Sequence, residues 1–203
     1  MVEVNNKTKF NNLKWMNEPS TWNVTEAGLS ITPDEKHDFW RKTYYKPCLL
    51  VNNGHLMYES FSSDKNVLAE TYFELSPVNQ FDQAGLMVYQ DAEHWIKTGI
   101  EYADGVKRLS CVVTNDYSDW STQNFDSNKL SLRLYKLGSD FVVEAKSVAD
   151  ETWSFIRICH LNNPANVTDV KIGVYSCSPS KTGGTVNFKY LTFKDVEGYH
   201  HTN

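Results

Sequence analysis

The chain is predicted to be all-β, folded as one two-sheet sandwich or jelly roll, and three observations carry that prediction. Apolar and polar residues alternate with a period of two from about residue 66 onward, the pattern of a strand that buries one face. No long window places apolar residues at i, i+3, i+4 and i+7, so amphipathic helices are not expected. Clusters of Gly, Asn, Asp and Pro interrupt the alternating runs at short, regular intervals. Many short strands punctuated in this way suit two sheets that each bury one face against the other.

Taken in order, 13–15, 22–24 and 28–31 are read as short early strands. Segment 32–40 is read as a loop, because Thr32-Pro33-Asp34 opens it and charged residues follow. Segment 56–61 is another strand. The regular part comprises 67–75, 84–89, 94–102, 107–115, 129–137, 141–147, 153–160, 170–177 and 186–193. Between these runs, Asp104-Gly105, Gly138, Asn162-Asn163-Pro164 and Gly183-Gly184 supply the residues that backbone reversals need. Segment 115–122 is read as a loop, since Trp120 sits there among acids and hydroxyls. No interdomain linker is visible, so 1–203 is expected to form one domain with its core at about 10–195 and a frayed tail at 196–203.

With 203 residues, the chain is long enough to bury a core without disulfides or structural metal. A net charge of −5, from 20 Lys+Arg against 25 Asp+Glu, offers no positive footprint for phosphate backbones or anionic membrane surfaces. Nucleic acid and membranes are therefore not expected as partners. Residues 1–10 lack the apolar run of a signal peptide, and no stretch approaches the ~18 apolar residues of a membrane span. A cytoplasmic location is expected, and the Asn-x-Thr tripeptides at Asn6, Asn23 and Asn166 are read as chance matches. Cys48, Cys111, Cys159 and Cys177 lie far apart, within or beside apolar runs and without Cys-x-x-Cys spacing. They are read as buried free thiols. No cofactor is expected.

The aromatic load is the unusual quantity: 6 Trp, 11 Tyr and 10 Phe must be buried or displayed for a ligand. Strand parity sorts some of them. In 94–102, Ile96 and Ile100 share one face, while Trp95, Lys97, Gly99 and Glu101 share the other. By the same rule Leu109, Cys111 and Val113 oppose Ser110 and Thr114. Val170, Ile172 and Val174 oppose Gly173, Tyr175 and Cys177, Leu86 and Val88 oppose Met87 and Tyr89, and Leu130, Leu132 and Leu134 oppose Arg133. If these strands are neighbours in one sheet, its outer face carries Tyr89, Trp95, Lys97, Glu101, Ser110, Arg133 and Tyr175. That face is either a solvated surface with a weak cross-strand ion pair or a concave binding face in which rings give flat contact and charges orient hydroxyls. Trp120 and the loop residues Asp38, Phe39, Trp40 and Arg41 are placed to rim the same pocket.

Catalytic patterns are largely missing. A retaining glycosidase needs two carboxyls roughly 5–5.5 Å apart, whereas Glu70 and Glu74, four residues apart on one strand face, stand roughly 13 Å apart at ~3.3 Å per residue. There is no Gly-x-Ser-x-Gly elbow, no phosphate-cradling glycine loop and no metal-ligand spacing, and His37, His55, His94 and His160 are scattered singles. Neither a metal site nor a catalytic residue is assigned. A glycan-active enzyme remains as an alternative, pairing Glu101 with Asp116 or Asp119.

The run 81–105, containing Ala84-Gly85-Leu86-Met87-Val88-Tyr89 and His94-Trp95-Ile96-Lys97-Thr98-Gly99-Ile100-Glu101, resembles a widespread uncharacterised family with the concanavalin A-like lectin/glucanase jelly-roll fold. So do Leu109-Ser110-Cys111, Ser118-Asp119-Trp120-Ser121 and Val170-Lys171-Ile172-Gly173-Val174-Tyr175. The resemblance covers 10–195. It implies a single sandwich with one concave sheet, a cytoplasmic location, a role in regulating enolase, and no settled enzymatic activity. Tyr89, Trp95, Lys97, Gly99, Glu101, Ser110, Asp119, Trp120 and Tyr175 match the family motif. The turn at Ala149-Asp150-Glu151-Thr152 departs from the Asp-Gly usual there.

The expected function is a non-catalytic regulatory or binding protein. Its ligand site is assigned to Trp40, Tyr89, Trp95, Lys97, Glu101, Ser110, Trp120, Arg133 and Tyr175. Trp40, Trp95 and Trp120 would stack, Lys97 and Arg133 would hold hydroxyl or anionic groups, and Glu101 would accept hydrogen bonds and fix Lys97. The expected ligand is a carbohydrate or a small anionic metabolite. A protein partner in enolase regulation, met by a pure interaction module, is the further alternative.

Overall fold

A computed structural model describes residues 10–164 and 166–201. The tripeptide at Asn6 and the last two residues of the tail lie outside that range. After a single 3₁₀ turn at Phe10–Asn12, the strands in chain order are β1 (Lys14–Met16), β2 (Thr21–Thr25), β3 (Gly28–Thr32), β4 (Phe39–Arg41), β5 (Leu50–Asn52), β6 (His55–Ser62), β7 (Val67–Ser76) and β8 (Gln83–Asp91). They continue with β9 (His94–Ala103), β10 (Val106–Asn115), β11 (Tyr117–Asn124), β12 (Lys129–Leu137), β13 (Asp140–Ser147), β14 (Ser154–His160), β15 (Asp169–Cys177) and β16 (Thr185–Asp195). The front sheet runs β1-β6-β15-β8-β9-β10-β11 and the back sheet β14-β13-β12-β7-β16-β3-β2, while β4 and β5 form a separate ribbon. Every pairing between these strands is antiparallel. No described helix is long and apolar enough to cross a membrane.

The core lies between the sheets and follows the alternation. Leu86, Val88, Ile96, Ile100, Ile172 and Val174 of the front sheet meet Phe73, Leu130, Leu132, Leu134, Phe141 and Phe188 of the back sheet, all fully buried. Each such side chain contributes roughly 1.5–3 kcal/mol through burial. The back sheet leaves its other face half-solvated, as the alternating exposure along β12 shows.

The front sheet is different. β8 is buried from Gln83 to Gln90 and β9 from Trp95 to Glu101, which alternation alone does not explain. A second cluster of Phe39, Trp40, Leu56, Met87, Tyr89, Trp95, Val112, Tyr175 and Cys177 sits on its outer side. The residues of the β4–β5 ribbon, Phe39 and Trp40 above all, cover the centre of that face. Close approach of β8 and β9 at the pair Gly85↔Gly99 requires glycine, since a Cβ on Gly99 would lie 1.9 Å from the Ala84 carbonyl oxygen.

Several expectations are corrected. Segment 115–122 is not a loop: Tyr117–Asn124 is edge strand β11, paired along its length with β10, because its polar side chains face water on one side while Ser118 and Trp120 turn inward. The loop assigned to 32–40 ends earlier, as Phe39 and Trp40 already pair with Asn52 and Val51. Arg133 lies on β12, in the back sheet. Cys48 is exposed and Cys159 half-buried; only Cys111 and Cys177 are buried thiols. Phe155, which strand parity would place with Cys159 on the core side of 153–160, is 47 % exposed: the register shift that opposes Val143 to Arg157 but Glu144 to Phe155 turns it outward. Within the tail, the Tyr199 hydroxyl donates to Glu144 Oε1 at 3.1 Å and its ring lies against Tyr135.

Candidate functional site

The segment before β4 delivers one carboxylate to the middle of the front sheet. Asp38 is held by its backbone, whose carbonyl accepts from Asn53 and Gly54 N–H and whose N–H donates to Asn53 Oδ1 at 3.0 Å. Its Oδ1 accepts from Lys97 Nζ at 2.7 Å, from the Phe39 N–H at 2.8 Å and from Gln83 Nε2 at 3.3 Å. Lys97 is buried, with a side chain only 2 % exposed. Burial works against its charge, and the Asp38 carboxylate beside it overcomes that, so its pKa is raised above the ordinary value. The partner expected for Lys97 was Glu101; the structure supplies Asp38, 59 residues away in sequence.

Glu101, four residues along β9 on the same face, belongs to a second chain of hydrogen bonds. The Trp120 indole N–H donates to Ser110 Oγ at 2.9 Å, and Ser110 Oγ donates to Glu101 Oε2 at 2.7 Å. Burial pushes the Glu101 carboxyl up to about 7, with Lys97 and the Ser110 hydrogen bond pulling back toward the ionised form. The site therefore holds one ammonium against two carboxyls, one of them poised between its protonated and ionised forms near neutral pH.

Above these groups lies a recess of about 250 Å³. Its floor is Asp38, Lys97, Glu101 and Val112; its walls are the rings of Trp40, Tyr45, Phe81 and Trp120, with Leu49 and the Pro179-Ser180 turn completing the rim. Trp40 stands edge-on to Trp120 at 6.4 Å and to Tyr45 at 5.5 Å, and Phe81 meets Trp120 at 6.4 Å. The Trp40 N–H is satisfied by the Thr43 carbonyl at 2.9 Å. Outside the recess, Arg41 and Lys42 tie the ribbon to the sheet: both hold Asp116 Oδ1, at 3.0 and 2.6 Å, Arg41 also pairs with Glu93, and the Arg41 N–H donates to Ser118 Oγ.

Of the residues the sequence nominated, Trp40, Lys97, Glu101 and Trp120 line the recess, and Ser110 stands directly behind it. Tyr89, Trp95 and Tyr175 do not line it. They pack beneath Phe39, with Trp95 and Tyr89 at 5.9 and 6.3 Å from its ring, and the Tyr89 hydroxyl accepts from Asn52 Nδ2. Trp95 is 1 % exposed, too deep to stack on a ligand. The Tyr175 hydroxyl is buried without a hydrogen-bond partner among the described residues. Arg133 is corrected out of the site, since it pairs with Glu70 at 2.7 Å on the outer face of the back sheet. Asp116 and Asp119, offered as partners of Glu101, are bound to Arg41 and Lys42 and to Arg157. Tyr45 and Phe81 were missed, because neither lies in an alternating run. His37 and His55, read as scattered singles, are stacked at 4.7 Å.

Comparison with known proteins places this architecture. The chain is 32 % identical over 190 residues to Regulation of enolase protein 1 of Saccharomyces cerevisiae, covering 93 % of this chain and 91 % of that protein. It superposes on a crystal structure of a functionally unknown protein from Saccharomyces cerevisiae with a TM-score of 0.85 and 29 % identity, over 94 % of this chain and all of the other. The carbohydrate-binding module CBM66 from Bacillus subtilis shares the fold alone, with a TM-score of 0.57 and 14 % identity over 91 % of this chain and 98 % of the module. The model of the family described as a protein of unknown function, DUF1349, matches residues 15–196, and with strands, core and front-sheet face accounted for within that span, the chain belongs to this family of concanavalin A-like jelly rolls.

Proposed function

We propose that the protein is a non-catalytic binding protein whose front-sheet recess takes a single neutral sugar unit. One observation carries the reading: groups able to donate and accept, the buried Lys97 and Glu101 and the half-buried Asp38, lie at the bottom of a recess walled by Trp40, Tyr45, Phe81 and Trp120. Rings supply flat apolar contact to the faces of a sugar, and fixed polar groups select its hydroxyls. A volume of about 250 Å³ is below the roughly 300–1,000 Å³ of sites for drug-sized ligands, which favours one ring over an oligosaccharide. The fold shared with a carbohydrate-binding module is in keeping with this reading.

Charge favours one of the two ligands expected from sequence. Lys97 is already neutralised by Asp38, and Glu101 adds a second carboxyl, so the recess has no spare positive charge for a phosphate or carboxylate. A neutral polyol is favoured over an anionic metabolite. Hydrolysis is disfavoured because Asp38, the carboxylate that joins Glu101, is committed to Lys97. The name of the yeast relative supplies the regulatory part of the proposal: ligand occupancy would serve a role in enolase regulation.

Thermal shift with neutral pentoses and hexoses beside their phosphates, on wild type and Trp120→Ala, tests the reading. A ligand at 100 times its Kd stabilises by about 2.7 kcal/mol, so at least one neutral sugar raises Tm in wild type and not in the variant. Stabilisation by the phosphates alone would restore the anionic ligand, and no response to any sugar would remove the binding reading.

A further inference from the structure

On the N-terminal side of Asp38 the same segment brings together three groups that the binding site does not use. Asp34, His37 and His55 place one ligand atom each within 4.8 Å of one another. Two stretches of chain supply the cluster and a third supports it: Asp34 and His37 lie between β3 and β4, His55 opens β6, and Asn17, after β1, backs His55. Lys36 adopts a φ of 61°, a left-handed conformation uncommon for a residue with a Cβ. That turn carries the His37 ring over the His55 ring, nearly parallel at 18°.

The hydrogen bonds set which nitrogen of each ring faces the cluster. His55 Nδ1 lies 2.6 Å from the Asn17 carbonyl oxygen and His37 Nδ1 lies 2.8 Å from the Glu35 carbonyl oxygen. A carbonyl can only accept, so both rings carry their proton on Nδ1 and present an Nε2 lone pair. An imidazole that donates its other N–H to a backbone carbonyl is the usual outer support of a metal-binding histidine. Asp34 Oδ2 is positioned in turn by Ser20, whose N–H and Oγ donate to it at 3.0 and 3.1 Å, and it stands 3.9 Å from His55 Nε2.

We propose that Asp34, His37 and His55 form a two-histidine, one-carboxylate site for a borderline transition-metal dication of the zinc or nickel class. Two neutral imidazoles and a carboxylate suit such an ion better than a hard cation, which prefers an all-oxygen shell. Binding requires two local exchanges. Zn–N bonds of about 2.0–2.1 Å put tetrahedral ligands roughly 3.3 Å apart, so the half-buried His37 ring must close in. The Asp34 N–H, which donates to His55 Nε2 at 3.1 Å, must yield that lone pair. Both exchanges weaken binding relative to a preformed site. Because the His37 carbonyl accepts the Ser178 N–H next to the Pro179-Ser180 rim, and Asp38 is the next residue, a bound ion braces the segment that delivers Asp38 to Lys97.

The test is titration of the untagged, chelator-treated full chain with Zn²⁺, and separately with Ni²⁺ and Mg²⁺, read by calorimetry and by Tm. One Zn²⁺ per chain is expected, with a rise in Tm of several degrees and no response to Mg²⁺. His37→Gln and Asp34→Asn, at half-buried positions, are expected to keep the metal-free Tm within a few degrees and to weaken Zn²⁺ binding at least tenfold. Absence of Zn²⁺ binding overturns the proposal. So does binding of undiminished strength in His37→Gln, which would locate the ion at Cys48 or the histidines of the tail. Sugar binding is measured without metal, so the two sites stand or fall separately.

Discussion

The outer faces of the two sheets carry the same kinds of residue and end in different physical states. On the back sheet, Arg133 pairs with Glu70 at 2.7 Å, Trp153 stacks on the Arg133 guanidinium at 4.0 Å, and the Tyr190 hydroxyl donates to Glu70 Oε1. On the front sheet, Lys97 pairs with Asp38, also at 2.7 Å, near Trp95 and Trp120. The pairs match in length and their carboxylates are similarly covered, Glu70 at 19 % and Asp38 at 15 % exposure, but the Arg133 side chain is 28 % exposed and that of Lys97 only 2 %. Water still screens the first pair. The second lies beneath the β4–β5 ribbon, where charges cost more to strand and interact over longer reach. A polar-aromatic face becomes a recess with a perturbed carboxyl only when something covers it.

The sharpest way to break this comparison is to remove one partner from each pair. Lys97→Ala leaves the mostly covered Asp38 carboxylate, 15 % exposed, without its counter-charge and is expected to cost about 3 kcal/mol in urea unfolding, whereas the double variant Lys97→Met/Asp38→Leu recovers most of that loss. Arg133→Ala in the same assay is expected to cost no more than about 1 kcal/mol from the ion pair, with a further small loss from the contact with Trp153. Equal costs at the two positions would mean that the ribbon does not dry the front face.

Acidity gives the next largest effect. The Glu101 carboxyl is raised from 4.5 to about 7 in the folded protein. Below the unfolded value both states are protonated and nothing is lost. As pH rises from there the unfolded chain ionises first, so stability falls until the folded carboxyl also ionises near neutrality. At 1.36 kcal/mol per unit the loss approaches about 3 kcal/mol between pH 4.5 and 7, and Glu101→Gln is expected to flatten that part of the profile. A variant whose stability follows the same pH curve as wild type would place Glu101 in water.

A smaller effect is expected at the indole. Trp120→Phe keeps the ring but leaves Ser110 Oγ without its donor, costing about 1 kcal/mol and weakening sugar binding less than Trp120→Ala does. The smallest is expected where the back sheet is most open: Phe155→Ser, at a side chain 47 % exposed, should change stability by no more than about 0.5 kcal/mol.

Some of this was legible from residue order. Ile96 and Ile100 were assigned to the core and Trp95, Lys97 and Glu101 to the other face, and both assignments hold, because alternation follows from backbone geometry within a single strand. The same holds for Leu109 against Ser110 and for Val174 against Tyr175. The strand at Tyr117–Asn124 was not legible: an edge strand with mostly exposed polar positions carries no apolar alternation to detect. Asp38 was noticed as a rim residue, but its role as the partner of Lys97 rests on a fold-back across 59 residues that no local pattern records. His37 and His55 likewise meet only because Lys36 turns the backbone.

By itself, the order of residues determined that the chain is all-β, which side of each regular strand faces the core, and that one face of β9 joins an ammonium, a carboxyl and an indole. Tertiary structure alone decided that Arg133 belongs to the other sheet, that Trp95 packs beneath Phe39 and does not line the recess, and that Asp38 completes the site. The division has a physical reason. Side-chain direction is set within two residues by the pleat, whereas sheet membership and the covering of a face depend on contacts between segments far apart in the chain.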